Sequence, residues 1–262
     1  MAQAAAALKK AGADFLELPV TALFNQGQAA SWGQMAQRLA LPVEAFHTLF
    51  PAPLKVAGPE VDRGRVDGYM RHSFAQLASF RPPASRPSTL GPTALPPVVV
   101  FGSGKARAIP DEFPKPEAEQ QLLWTLHRAA DQARANGLRV ALEPLARGAT
   151  NLVNNLLEAL ALVERVGRNE NGITADTTQM EREGEPLEHL PEVSRYLLHV
   201  HLAGREFSPP EAGNGDFVGL FHTLARVSYR RRVSIECTWS DFAAQAPEAI
   251  AFLKEVMQEC QP

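Results

Sequence analysis

The sequence predicts an α/β fold, a (β/α)8 TIM barrel lacking its first strand, and three observations predict it. Apolar runs of strand length alternate with helical patterns along the chain, which implies parallel strands joined by helical crossovers. Seven such strand–helix units are legible, and a helix rather than a strand comes first. The chain has 262 residues, and barrels of this kind run to roughly 250 residues as one unit. Residues 1–262 are therefore read as a single domain. Either the sequence starts late relative to the complete fold, or the sheet is open.

The elements follow in order. Ala4–Ala11 has helical periodicity and stops at Gly12, and Asp14–Val20 reads as a short strand. Further strands are expected at Val43–Phe50, Pro97–Gly102, Arg139–Leu145, Gly172–Thr177, Tyr196–Ala203 and Arg231–Thr238. Helices are expected at Gln28–Leu39, Val61–Ser79, Pro116–Asn136, Asn151–Val166, Pro186–Tyr196, Phe217–Ala225 and Asp241–Gln258. From Phe80 to Pro97 the prolines break any helix and cannot sit inside a sheet, so this stretch is an irregular loop.

Composition narrows the function. Hydrophobic residues make up 45% and charged residues 21% of the chain, enough for a sizeable core. Lys and Arg number 26 against 29 Asp and Glu, a net charge of −3, which argues against nucleic-acid or membrane-surface partners held by bulk electrostatics. Arg230-Arg231-Arg232 reads as a solvated turn. The start of the chain lacks a signal-peptide pattern, no stretch is long enough to span a bilayer, and Cys237 and Cys260 have no CxxC spacing. A cytoplasmic, reducing location is the expectation. An unpaired edge beside the absent strand invites a dimer or tetramer.

Alternation locates the chemistry, because side chains two apart on a strand share a face. Val233, Ile235 and Cys237 form an apolar face that suits packing under helices, which turns Ser234 and Glu236 inward. His199 and His201 project together, opposite Leu198, Val200 and Leu202. Asp176 shares a face with Thr174, and Glu143 with Ala141. Four strands thus send an ionisable group inward near their C-terminal ends, where barrel enzymes place their chemistry. A carboxylate in that position is costly unless it is paired or ligates a metal. Glu143, Asp176, Glu236 and His201 form a hard, oxygen-rich set that suits Mn²⁺ or Mg²⁺, with Co²⁺ or Zn²⁺ as alternatives. Glu17 and His47 end the first two strands and are candidates to line the pocket, and Trp239 and Phe101 to wall it. Gly102-Ser103-Gly104, with Lys105 and Arg107, either holds an anionic group of the substrate or is a plain tight turn.

Several motifs resemble the sugar phosphate isomerase/epimerase family, the xylose isomerase-like barrels that include ketose 3-epimerases and hydroxypyruvate isomerases. They are Gly58-Pro59-Glu60-Val61-Asp62, Val98-Val99-Val100-Phe101-Gly102-Ser103-Gly104, Ala141-Leu142-Glu143-Pro144-Leu145, His199-Val200-His201-Leu202 and Val233-Ser234-Ile235-Glu236-Cys237. The resemblance implies that Glu143 and Glu236 both bind the divalent metal and act as acid/base catalysts, with Asp176 and His201 as the other ligands. It implies a small sugar or hydroxy-keto acid substrate, and the residues themselves offer His199, Arg205, Glu17, Ser103 and Arg107 as candidate substrate contacts. Where the family has a His three residues after the ligand Asp, this sequence has Gln179, and Ala146 and Ala149 replace a substrate-binding Asn and Glu. The reading is a metal-dependent sugar isomerase or epimerase working through an enediolate. The alternative is a degenerate barrel that binds a metal or sugar without turnover. Related endonuclease barrels are excluded by the lack of further His ligands and of a basic face.

Overall fold

A computed structural model describes residues 2–24, 36, 38–80 and 95–260. Seven parallel strands lie in sequence order in one sheet: β1 (Leu16–Pro19), β2 (Val43–His47), β3 (Val98–Phe101), β4 (Arg139–Leu142), β5 (Asn171–Asp176), β6 (Leu197–Leu202) and β7 (Arg232–Ile235). Sequential order with every neighbour parallel is the curl of a barrel, and the strand count matches the seven expected. No pairing of β7 with β1 is present among the described residues. The helices are α1 (Ala2–Lys10), α2 (Val20–Phe24), α3 (Arg63–Leu77), α4 (Gly104–Arg107), α5 (Lys115–Asn136), α6 (Leu156–Val166), α7 (Thr177–Glu183), α8 (His189–Val193), α9 (Phe217–Arg226) and α10 (Phe242–Glu259). No helix among the described residues is long and apolar enough to cross a membrane.

Local chemistry explains the helix ends. Pro116 opens α5, where its missing N–H costs nothing, and Gly137 closes that helix in the left-handed conformation at φ 64°. The Asn155 side chain accepts from the Glu158 N–H to cap α6, and Asp241 caps α10 by accepting from Ala243 and Ala244. The expected helix at Asn151–Val166 begins only at Leu156, because Val153 holds a positive φ of 62°. The expected Pro186–Tyr196 helix shrinks to α8, and α7 lies within a stretch read as helix-free. The expected helix over 28–39 and the Pro-rich loop over 80–97 lie largely outside the described residues.

Two apolar regions result. Outward-facing strand residues such as Val99, Phe101, Val140, Leu142, Ile173, Val200 and Leu202 pack under the helices in one continuous core. Inside the barrel, Val98, Val100, Ala141 and Leu198 form a separate small cluster. Leu198 corrects the simple alternation. Ile173 pairs with Leu197 and Thr174 with His199, so Leu198 is an extra residue in a bulge. The bulge turns Leu198 inward over Gly172, where a methyl group would overlap it. Inward projection of Glu143, Asp176, His199 and His201 agrees with the sequence reading, and all four are buried.

Arg232 also departs from expectation. It is the first residue of β7 and is buried, not solvated. Its Nε donates to Glu44 Oε2 at 2.8 Å, and its other nitrogens donate to the carbonyls of Leu95 and Pro96. Glu44 is itself the extra residue of a bulge between β1 and β2. This buried ion pair ties the start of β7 to β2 across the interior.

Candidate metal centre

The C-terminal ends of β4, β5, β6 and β7 bring Glu143, Asp176, His201 and Glu236 together, each offering one ligand atom, all within 4.8 Å of one another. His201 is the hub. Its Nδ1 lies 2.9 Å from Glu143 Oε1 and 2.6 Å from Glu236 Oε2. Its Nε2 lies 3.0 Å from Glu17 Oε1. Asp176 both ends β5 and caps α7, its Oδ1 accepting from Thr178 and Gln179 at 2.7 and 2.9 Å. The cap fixes one carboxylate oxygen and leaves the other for the cluster.

The electrostatics follow from the crowding of like charges. Burial raises the Glu143 carboxyl above its usual range, opposed by His201 and reinforced by Glu236. Burial, with the charges of Glu143 and Glu236, pushes Asp176 up to about 7. Burial also acts on Glu236, but the imidazoles of His201 and His47 hold it below the ordinary value. His201 is buried, yet the carboxylates of Glu17, Glu236 and Glu143 hold it well above the ordinary imidazole value. Three carboxylates around one imidazole are an uncompensated anionic cluster in low dielectric, and a divalent cation is what such a donor set accommodates. The local backbone supports that fit: a methyl group at Gly102 would overlap the Glu143 carboxylate, so glycine leaves the cradle in which that carboxylate lies.

A cleft of about 510 Å³ opens onto the cluster. Glu143 and Glu236 line it, while Asp176 and His201 lie behind them. His47 shares the wall, with Nδ1 3.3 Å from Glu236 Oε1. Gln179 lines the cleft too, its Oε1 accepting from the Ala146 N–H at 2.8 Å. Phe207 and Cys237 complete the far side. Phe207 has a positive φ of 58°, an uncommon conformation for a bulky residue. Cys237 is read from alternation as outward-facing, but β7 ends at Ile235 and the following chain turns it into the cleft.

The remaining sequence candidates fall elsewhere. Arg107 is fully buried, with Nε donating to Leu152 O at 3.1 Å, and its terminal nitrogens to Phe101 O at 3.1 Å and Glu143 O at 2.6 Å. It is a clamp on the main chain under Glu143, not a contact for substrate. Ser103 Oγ accepts from the Phe50 N–H at 2.8 Å and is likewise committed to the scaffold. Arg205 does not line the cleft, and its side chain is 70% exposed with Nε 3.5 Å from Glu181. His199 is fully buried and its Nε2 meets Glu17 Oε2 at 2.9 Å. Glu17 is half-buried, meets His201 Nε2 at 3.0 Å and does not line the cleft. Trp239 packs edge-on against Phe242, and Phe101 against Phe50.

Comparisons with known proteins bear on the family and the fold. A family model described as xylose isomerase-like TIM barrel matches residues 91–256. A ketose 3-epimerase of Arthrobacter globiformis is 31% identical over 118 residues, 45% of this chain and 41% of that protein. An L-ribulose 3-epimerase of Methylomonas sp. (strain DH-1) is 32% identical over 113 residues, 42% of this chain and 39% of that one. The matched stretches thus span about two fifths of these curated relatives. Among solved structures, an L-ribulose 3-epimerase superposes with a TM-score of 0.81 at 20% identity, covering 97% of this chain and 88% of the other.

Proposed function

The chain belongs to the xylose isomerase-like TIM barrel family, and on that premise we propose that it is a divalent-cation-dependent sugar epimerase or isomerase with a ketose as substrate. The observation that carries this reading is the convergence of Glu143, Asp176, His201 and Glu236 within 4.8 Å, with only the two glutamates reaching the cleft. A cation held by these four side chains, Mn²⁺ first among the candidates, would polarise a substrate carbonyl and its neighbouring hydroxyl and acidify the carbon-bound proton beside them. Glu143 and Glu236 are the proton-moving groups. One removes the proton from carbon and the other returns one. Return to the opposite face of the same carbon inverts it, which is epimerisation, and return to the neighbouring carbon is aldose–ketose isomerisation. His47 steadies Glu236 from the cleft wall.

A second reading is favoured by the surroundings of Gln179. With Ala146 and Ala149 beside it and its Oε1 already accepting from Ala146 N–H, this part of the cleft offers few polar contacts to sugar hydroxyls. A barrel that binds a cation or sugar without turnover fits that observation. The experiment that separates the two incubates Mn²⁺-loaded protein with ketoses in deuterated water and follows exchange of carbon-bound protons by NMR. Exchange that is lost in both Glu143→Gln and Glu236→Gln supports catalysis. Saturable Mn²⁺ and ketose binding with no exchange of any substrate proton supports the second reading.

A further inference from the structure

We propose that Glu17 is a positioning residue of the cation site, holding the Nε2 proton of His201 so that Nδ1 is the nitrogen left to face a cation among Glu143, Asp176 and Glu236. The inference rests on the reading of those residues as a cation site, and concerns a residue that lies outside it. Glu17 comes from β1, an edge strand that pairs with none of the four ligand strands. It reaches His201 Nε2 at 3.0 Å with Oε1 and His199 Nε2 at 2.9 Å with Oε2. One carboxylate therefore accepts from two imidazoles, one on each oxygen.

Tautomer logic follows from that arrangement. Without a cation both ring nitrogens of His201 face carboxylates and each keeps a proton, whereas a cation must take the place of one proton and leave a neutral imidazole with one N–H and one lone pair. With Nε2–H given to Glu17, the proton that a cation displaces is the one on Nδ1, the atom that lies 2.9 Å from Glu143 and 2.6 Å from Glu236, and the lone pair is freed there. Without Glu17 the same ring is free to carry its proton on Nδ1, and that proton stands where a cation must bind. A carboxylate hydrogen-bonded to a ligand histidine also makes the imidazole a stronger donor to a metal.

His199 keeps Glu17 from turning away. It is fully buried, its ring stands edge-on to His201 at 4.8 Å and packs against Phe15 at 6.4 Å, and its Nδ1 has no hydrogen-bond partner among the described residues. Its single useful polar contact is with Glu17. Both oxygens of Glu17 are thus engaged, one by each ring. The small group formed by Glu17, His199 and His201 is a support for the neighbouring centre, because both rings spend their Nε2 on the same carboxylate.

Calorimetric titration of the chelator-stripped full chain with Mn²⁺ tests the idea, comparing wild type with Glu17→Gln. Glutamine has one acceptor oxygen where the two rings need two, so one ring faces an amide donor instead. The expected result is a loss of roughly 10–100-fold in Mn²⁺ affinity in a protein whose circular dichroism is unchanged. A second measurement needs no variant: ¹⁵N NMR of the histidines in Zn²⁺-loaded wild type is expected to show His201 protonated at Nε2 and metal-bound at Nδ1. Glu17→Gln that folds and binds Mn²⁺ as tightly as wild type overturns the proposal, as does metal found on His201 Nε2. Wild type that binds no Mn²⁺ at all fails the cation reading itself, and then a metal-free spectrum in which His201 Nε2 carries no proton overturns the role of Glu17 separately.

Discussion

Arg107→Met removes a buried guanidinium that joins three segments under the candidate site. The side chain is wholly inaccessible, and it donates to the carbonyls of Phe101 at the end of β3, Glu143 just past β4, and Leu152 in the loop before α6, with Val153 O a longer fourth contact at 3.4 Å. Methionine has similar reach and fills the space but donates nothing. Phe101 O keeps the Glu143 N–H at 3.3 Å, but Glu143 O and Leu152 O each lose a donor, which costs about 1–3 kcal/mol apiece. Against that stands relief of the guanidinium's desolvation, which is large enough to lower its pKa to about 10 despite the nearby Glu143. Val153 adds to the loss, since a β-branched residue at φ 62° persists only where its surroundings hold it there. A net destabilisation of about 3 kcal/mol is expected, which for a chain of this size lowers Tm by roughly 6–12 °C. Differential scanning calorimetry with a urea titration measures it, and Arg107→Lys should lose nearly as much because an ammonium cannot serve three carbonyls in a fork. The same variant should weaken Mn²⁺ binding, since the shortest of these bonds, 2.6 Å, anchors the main chain of Glu143. An Arg107→Met protein with Tm within about 2 °C of wild type refutes the clamp, and unchanged Mn²⁺ affinity refutes its link to the site.

Three further outcomes are expected. Glu143→Gln and Glu236→Gln should each reduce Mn²⁺ binding, seen by calorimetry as loss of a stoichiometry near one ion per chain, and full retention in both would dismiss the four-residue centre. Gly102→Ala should keep the fold yet displace the Glu143 carboxylate by more than about 1 Å to reach ordinary van der Waals contact; a matching loss of Mn²⁺ affinity supports the cradle, and wild-type affinity argues that Glu143 binds from elsewhere. Mn²⁺ affinity should fall as pH drops through about 7, because the metal-free site holds carboxyl and imidazole protons above their ordinary pKa values and a cation must displace them. Titrations in buffers of different ionisation enthalpy read the released protons directly, and an affinity that is flat from about pH 5.5 to 8 would contradict this competition.

The legible part of the fold is the part written in apolar periodicity. Val98-Val99-Val100-Phe101 is buried throughout and can only be an interior strand, and alternation along β4, β5 and β7 was enough to turn Glu143, Asp176 and Glu236 inward. Alternation misleads where the backbone adds a residue or ends. The bulge at Leu198 places two consecutive side chains of β6 inside, and the end of β7 at Ile235 releases Cys237 to the cleft. Charge misleads in the other direction. Arg107 and Arg232 read as solvent-facing or substrate-facing cations, yet each is buried with its donors spent on main-chain carbonyls, and in the case of Arg232 on Glu44. Apart from Phe101, which is six residues from Arg107, these partners lie 36 to 188 residues away in sequence, so no local pattern announces them. Helix α7 was hidden because Thr177–Glu183 is short and polar, although its cap Asp176 and its terminal Gly184 were both in view.

Those long-range partners explain why an acidic cluster is tolerated where an apolar plug would be simpler. On the β3–β4 side, the interior is filled by Val98, Val100 and Ala141, with Leu198 leaning across from the β6 bulge. On the other side it is polar from one end to the other, with Glu44 and Arg232 at the base, Glu17 and His199 above, and the four candidate ligands at the top. Each of these layers passes its geometry upward. Arg232 pairs in register with His199, and Ser234 with His201, so the ion pair that seats β7 also sets the height at which Glu236 meets Nδ1. A buried ion pair of this sort contributes little stability compared with an apolar substitute. Its consequence is register. Slipping β7 by one residue would turn Glu236 outward and bring Cys237 to the cluster, so the polar base specifies which side chain arrives at the centre, and Glu17 specifies which nitrogen of His201 it meets there.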